Sequence, residues 1–194
     1  MHRTHISLLP LSTARPDDRV AEARRIIGAA IEILRQGEEL LAVLPAETYS
    51  RVVPVAFDAS IGGHYRHCLD HFASLLAGVD QDMVDYDHRE RDARIEQEPA
   101  FAREATEKLR ERLGRLDAAL LDEPVTARCE VSYGLGSSPV TASTLGRELV
   151  YVIAHGIHHY ALITVMARLQ GADVPDDFGV APSTVHHRRS VDAR

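Results

Sequence analysis

The sequence of 194 residues contains no tryptophan, two cysteines and a single lysine, Lys108. Cys68 and Cys129 are far apart and form no CxxC motif, which excludes a disulfide framework and a cysteine-rich metal site. Polar residues interrupt every long apolar run, so we expect no transmembrane helix and no membrane partner. The first residues also lack an apolar stretch with a cleavage site, and we therefore expect a cytoplasmic protein.

Acidic residues outnumber basic ones, 29 to 22, so the formal net charge is -7 at pH 7. Binding to nucleic acid depends on clustered positive charge and on the release of counterions. The charge therefore argues against a nucleic-acid partner and favours a small-molecule ligand. A homodimer, formed through an exposed apolar helix face, is a further prediction.

Four amphipathic segments have helical spacing of their apolar residues. They begin at the Pro16 start signal, at the Ser60 cap, at Pro99 and at a Ser143 or Thr144 cap, and they end near residues 44, 78, 121 and 171. Residues 125–140 alternate instead, which predicts a small β-hairpin. The pattern predicts an all-α fold: a four-helix bundle in one domain, residues 1–194, with the hairpin inserted before the last long helix. The N-terminal arm 1–16 and the C-terminal tail 185–194 are expected to be peripheral.

The polar stretch after the second helix, VDQDMVDYDHRERDARIEQEP, is too charged to belong to a core. Its simplest interpretation is a solvated loop. The alternative is a lid over the mouth of the bundle, in which Asp85, Tyr86, Arg89 and Arg91 reach a ligand.

Six of the eleven histidines lie in two short helical segments, IGGHYRHCLDHF and YVIAHGIHHYAL. His155 and His159 are four residues apart, so both rings project from one helix face, as a metal site requires. Glu148 lies on the same inward stripe, where polar groups are costly unless they are paired or coordinated. A third ligand could come from His64, His67 or His71. The spacing alone does not choose among them, and the two that do not bind would support the site together with Asp70.

These segments resemble the DinB / YfiT-like superfamily of metal-dependent four-helix proteins. The resemblance rests on SIGGHYRHCLDHF, VDYDHRERD, and RELVYVIAHGIHHYALITVMARLQG followed by PDDFGVAPST, and it covers residues 17–184. It implies that His67 joins His155 and His159 to hold a divalent metal. The chain departs from the commonest pattern after the second ligand, where many relatives have Arg-Gly-Gln and this chain has Tyr160, Ala161 and Leu162.

The better-understood members of this family are thiol-dependent transferases or isomerases, which implies a low-molecular-weight thiol as a second cofactor. The first hypothesis is thus a metal-dependent transferase or hydrolase that acts on a small molecule. The alternative is a non-catalytic metal-binding or stress-associated protein, and a third possibility is a helical bundle without metal. Imidazole ligands suit zinc, nickel, iron and copper, so the residues do not choose the ion.

Overall fold

Four long helices dominate the structure, a computed structural model that describes residues 15–134 and 136–192. They are α1 (Pro16–Val43), α3 (Ile61–Gly78), α5 (Pro99–Gly114) and α6 (Leu145–Leu169). The predicted mostly helical fold is confirmed. All of the predicted N-terminal arm except its last two residues lies outside the described part.

Local sequence signals set the starts of these helices as predicted. Helix α1 begins at Pro16 with Asp17 and Asp18 in its first turn, where acidic side chains interact favourably with the positive end of the helix dipole. The Ser60 side chain caps α3 by accepting a hydrogen bond of 2.9 Å from the backbone N–H of Gly63. Of the two candidate caps for α6, Thr144 takes this role.

Helix α5 is shorter than predicted. It ends at Gly114 rather than at residue 121, because glycine weakens a helix and Asp117 starts a separate 3-10 turn, Ala118–Asp122. The Asp117 side chain accepts from the backbone N–H of Ala119 and so caps this turn. The apolar residues of the turn keep the helical spacing that suggested a continuous helix.

The predicted hairpin is present, but its second strand begins only at Val140, where the predicted range ends, and the hairpin is part of a larger sheet. Strands β4 (Pro124–Arg128) and β5 (Val140–Thr144) pair in antiparallel fashion. Strand β3 (Met83–Asp85) pairs in parallel with β4, so that Met83 lies opposite Thr126. This strand was not predicted, because three residues in a charged stretch have no periodic signal of their own. Its pairing fixes the start of the polar loop beside α6.

Short elements fill the connections. They are α2 (Ala46–Ser50), β1 (Val52–Val53), β2 (Ala59–Ser60), α4 (Ala93–Gln97) and α7 (Pro182–Asp192). Strands β1 and β2 pair in antiparallel fashion before α3. The described part of the predicted peripheral tail belongs to α7, whose residues are mostly exposed.

The core lies between the four long helices. Helix α1 packs against α5 and α6, and α3 packs against the same two helices from the other side. Three tyrosines are among its largest buried side chains: Tyr49, Tyr65 and Tyr160. The rings of Tyr65 and Tyr160 are parallel, with centroids 6.2 Å apart, and the Tyr160 hydroxyl donates to the Ile33 carbonyl at 3.2 Å. Tyr160, where the chain departs from the common family pattern, is therefore a core residue.

Among the described residues, α6 is the one helix long and apolar enough to cross a membrane. No such helix was expected, and the difference arises because the charged residues of α6, Arg147, Glu148 and Arg168, lie near its ends. Core helices of bundles have the same length and composition. Its buried side packs against α1 and α3, and its outer side leaves Val150, Val165 and Leu169 exposed.

The homodimer, the small-molecule ligand and the absence of nucleic acid stay predictions.

We expect Gly62→Ala to destabilise the protein and Gly28→Ala to be tolerated. A Cβ at Gly62 would overlap the Glu96 backbone, with its carbonyl carbon at 2.8 Å and Tyr49 Cε1 also at 2.8 Å, whereas a Cβ at Gly28 meets nothing within 4 Å. Overpacking costs about 1–3 kcal/mol, while alanine in an open helix position gains roughly 0.5–1 kcal/mol. Urea unfolding of both variants tests this, and equal stabilities would contradict the packing at Gly62.

Candidate metal centre

Histidines of α3 and α6 face each other across the contact between these two helices. The Nε2 atoms of His67 and His155 are 2.9 Å apart. One ring nitrogen from each of His67, His155 and His159 lies within 4.8 Å of the others. The ring centroids of His155 and His159 are 4.5 Å apart, as expected for residues one turn apart on one face. The described residues thus bring together the three ligands that the resemblance implied.

The other two α3 histidines contact rings of the triad. His64 Nδ1 lies 2.9 Å from His159 Nδ1. His71 is buried, and its Nδ1 donates to the His67 carbonyl at 2.9 Å. The His71 ring also stacks on His155, with centroids 4.3 Å apart. Neither ring belongs to the convergent group of three, and a supporting role for these two histidines stays a prediction.

The polar loop after β3 reaches the triad. Arg89 Nη1 lies 2.9 Å from His67 Nδ1 and 3.3 Å from His71 Nδ1. The Asp85 carboxylate orders the start of this loop, since it accepts from the backbone N–H groups of Asp87 and His88. The loop is therefore more than a solvated connection, and it contributes a cation to the edge of the site.

A buried carboxyl group lies on the other side of His71. Glu148 accepts from the Tyr86 hydroxyl at 2.9 Å and from Ser143 Oγ at 2.5 Å. The Tyr86 ring stacks on His71, with centroids 5.1 Å apart. Tyr86 and Glu148 were predicted candidates. Ser143 and Tyr151, whose ring stacks on His155 at 5.6 Å, were missed. Tyr151 lies four residues before His155, and this spacing could have revealed it.

Asp70 lies apart from the triad. It lines a cavity of 620 Å³ between α3, α5 and the polar loop, and Arg89 lines the same cavity. Burial raises the pKa of Asp70, against the opposing effect of Arg66 and Arg89. Arg89 is therefore the side chain that borders both the cavity and the triad.

Burial lowers the pKa of every histidine in this cluster. The pKa falls to about 2 for His67, to about 3 for His159 and to about 4 for His71, with neighbouring imidazoles adding to the effect. Burial also lowers the pKa of His64 and of His155. The rings are consequently neutral near pH 7, which is the form that binds metal.

The fold and the site together define a class of protein: a helical protein in which two helices bring three histidines together. The family profile of the DinB superfamily matches residues 32–163, more than half of the chain. The chain therefore belongs to the DinB superfamily.

The chain is also similar to the FK506-binding protein 5 of Rhizopus delemar (strain RA 99-880 / ATCC MYA-4621 / FGSC 9543 / NRRL 43880). The two are 32% identical over 105 residues, which is 54% of this chain and 27% of that protein. The match thus spans little more than a quarter of the length of this curated relative. No solved structure matches the chain.

We expect Tyr86→Phe to destabilise the protein by about 1–3 kcal/mol, because the buried Glu148 carboxyl group loses one of its two donors. The matched control is Tyr133→Phe, since the Tyr133 side chain is fully exposed. Urea unfolding compares the two variants with the wild type. Equal effects would show that the Tyr86 hydroxyl contributes nothing to Glu148.

Proposed function

We propose that His67, His155 and His159 bind one divalent transition metal, which can be zinc, nickel or iron. The convergence of their ring nitrogens within 4.8 Å supports this proposal. Nitrogens that are each about 2.0–2.1 Å from a tetrahedral zinc ion lie roughly 3.3 Å from one another. The 2.9 Å pair of His67 and His155 would therefore open only slightly to accept an ion. Neutral imidazole is also the correct chemical form for ligation.

We infer further that the protein is a metal-dependent transferase or hydrolase that acts on a small molecule together with a low-molecular-weight thiol. A metal held by three protein ligands would have a coordination position left for water or a thiolate, and it would lower the pKa of the group bound there. The chain's own residues provide the surroundings: Tyr151 stacks on His155, and Arg89 supplies a positive charge beside His67. The cavity of 620 Å³ next to Arg89 is within the usual size range for small ligands.

Two finer features of the family belong to the same proposal. The first is the four-helix-bundle arrangement, which is supported by the packing of α1 and α3 against both α5 and α6. The second is a cytoplasmic location.

A non-catalytic metal-binding protein is the second candidate, and one observation favours it. Structural zinc sites usually have four protein ligands, and His64 places a fourth imidazole 2.9 Å from His159. If His64 turned to the ion, no position would remain for a substrate. The thiol experiment below distinguishes the two functions.

Elemental analysis tests the metal site. We expect protein purified without a metal-affinity column to contain about one divalent ion per chain and His155→Ala to contain almost none. The matched control is His158→Ala, which removes an exposed imidazole from the same helix and should retain the ion. Wild-type protein without metal, both as purified and after incubation with zinc, nickel or iron, would refute the proposal.

Thiol binding tests the catalytic proposal. After exchange of the metal for cobalt, we expect titration with a small thiol to change the visible spectrum, because a thiolate enters the open coordination position. The same titration of His155→Ala controls for cobalt bound elsewhere. A wild-type spectrum that does not change with thiol would favour the non-catalytic candidate.

A further inference from the structure

The Nδ1 atoms of two triad rings face partners of different kinds. Nδ1 of His159 faces the imidazole of His64, which can accept or donate a hydrogen bond. Nδ1 of His67 faces the guanidinium of Arg89, which can only donate. Nδ1 of His159 can therefore donate or accept a hydrogen bond, whereas Nδ1 of His67 can only accept one.

Arg89 lies near two histidine rings, His67 and His71, but only the His67 ring can accept a hydrogen bond from it. The Nδ1 of His71 donates to the His67 carbonyl, because a carbonyl oxygen can only accept. Arg89 Nη1, 3.3 Å from the same Nδ1, thus faces a donor there and makes its hydrogen bond to His67 at 2.9 Å. The lone pair of the His67 ring must then be on Nδ1 and its proton on Nε2.

This tautomer is the wrong one for binding a metal in the triad. Nε2 of His67 is the atom that converges with Nε2 of His155, and a nitrogen that carries a proton has no lone pair for a metal. Metal-bound histidines normally donate their other N–H to a carboxylate, a carbonyl or another acceptor. His64 can serve His159 in this way, whereas Arg89 cannot serve His67.

We propose that Arg89 is a positioning residue that opposes metal binding by His67, and that it must leave Nδ1 before the ion is bound. This inference rests on the proposed metal-binding function. The ring proton of His67 then moves from Nε2 to Nδ1 through solvent, so that the ring stays neutral and no proton is gained or lost. His64 can act in the opposite direction, because an imidazole, unlike a guanidinium, is able to accept the Nδ1 proton of His159 and so leave the Nε2 lone pair of that ring for an ion.

The structure offers the displaced guanidinium a destination. Arg89 borders the cavity of 620 Å³, and Asp70 of α3 lines the same cavity. The Asp70 carboxylate can accept from a guanidinium that turns away from His67. Loading the triad is thereby coupled to a rearrangement at the cavity in which we place the small-molecule ligand.

Three substitutions at Arg89 test the proposal through zinc affinity, measured by competition with a chromophoric chelator. Arg89→Gln replaces a donor by an amide whose oxygen can accept from Nδ1–H, and we expect about tenfold tighter binding. Arg89→Lys only donates and should bind as the wild type does. Arg89→Met removes the charge without supplying an acceptor and should fall between them. Equal affinities of the Gln and Met variants would assign the effect to charge, and unchanged or weaker binding by Arg89→Gln would also overturn the proposal.

A second measurement needs no metal. In chelator-treated protein, the ¹⁵N shifts of the His67 ring should show the proton on Nε2 in the wild type and a shift toward Nδ1 in Arg89→Gln. A wild-type ring that carries its proton on Nδ1 would refute the role of Arg89 while leaving the metal site intact. If neither the wild type nor any variant binds zinc while the wild-type ring has the expected tautomer, the proposed function and the effect of Arg89 on metal binding are both refuted, and the contact between Arg89 and His67 keeps its role in fixing the tautomer alone.

His64 provides the complementary test. His64→Ala removes the acceptor for His159 and should weaken zinc binding by about tenfold. His64→Asn places an amide group near the former Nδ1 and should restore most of the affinity. Wild-type affinity in His64→Ala would show that His64 does not position His159.

Discussion

The packing of α3 against α6 is the contact on which the site depends. His67 and His155 are separated by 88 positions, and their rings meet only because the apolar faces of the two helices bury each other. The histidines lie at the edge of this contact, where they are half-buried. Burial strips water from the rings, lowers their pKa values and leaves a group of neutral nitrogens that must find partners among themselves or in an ion.

The small sheet places a second layer around these rings. The parallel pairing of β3 with β4 holds the start of the polar loop, so that Tyr86 stacks on His71 and Arg89 reaches His67. A donor-only group beside a ligand nitrogen is unusual, because metal sites normally surround their histidines with acceptors. In our proposal, the same loop that encloses the site also limits its loading. Arg89 and Asp70 line the same cavity, so a movement of Arg89 away from His67 would also change the space in which we place the ligand.

Family membership and local geometry each support the proposed metal site, and the two observations are independent. The profile match over residues 32–163 identifies the superfamily, whereas the 4.8 Å grouping of nitrogens comes from the coordinates alone. The place where the chain departs from the common family pattern also has a structural explanation. Tyr160 is packed against Tyr65 and Phe178 in the core, so this position supports the last helix rather than the metal.

The sequence by itself determined the helical class, most helix ends and the inward row of His155, His159 and Glu148, because caps and helical periodicity are local properties. It left His64, His67 and His71 undecided, since all three lie near one face of α3, and the family resemblance was needed to choose His67. Only the tertiary structure decided which ring nitrogens converge and that Arg89 contacts His67. It also placed Asp70 in a separate cavity and revealed β3, whose pairing partner is 43 positions away, as between Met83 and Thr126. These features depend on contacts between distant segments, which no local pattern encodes.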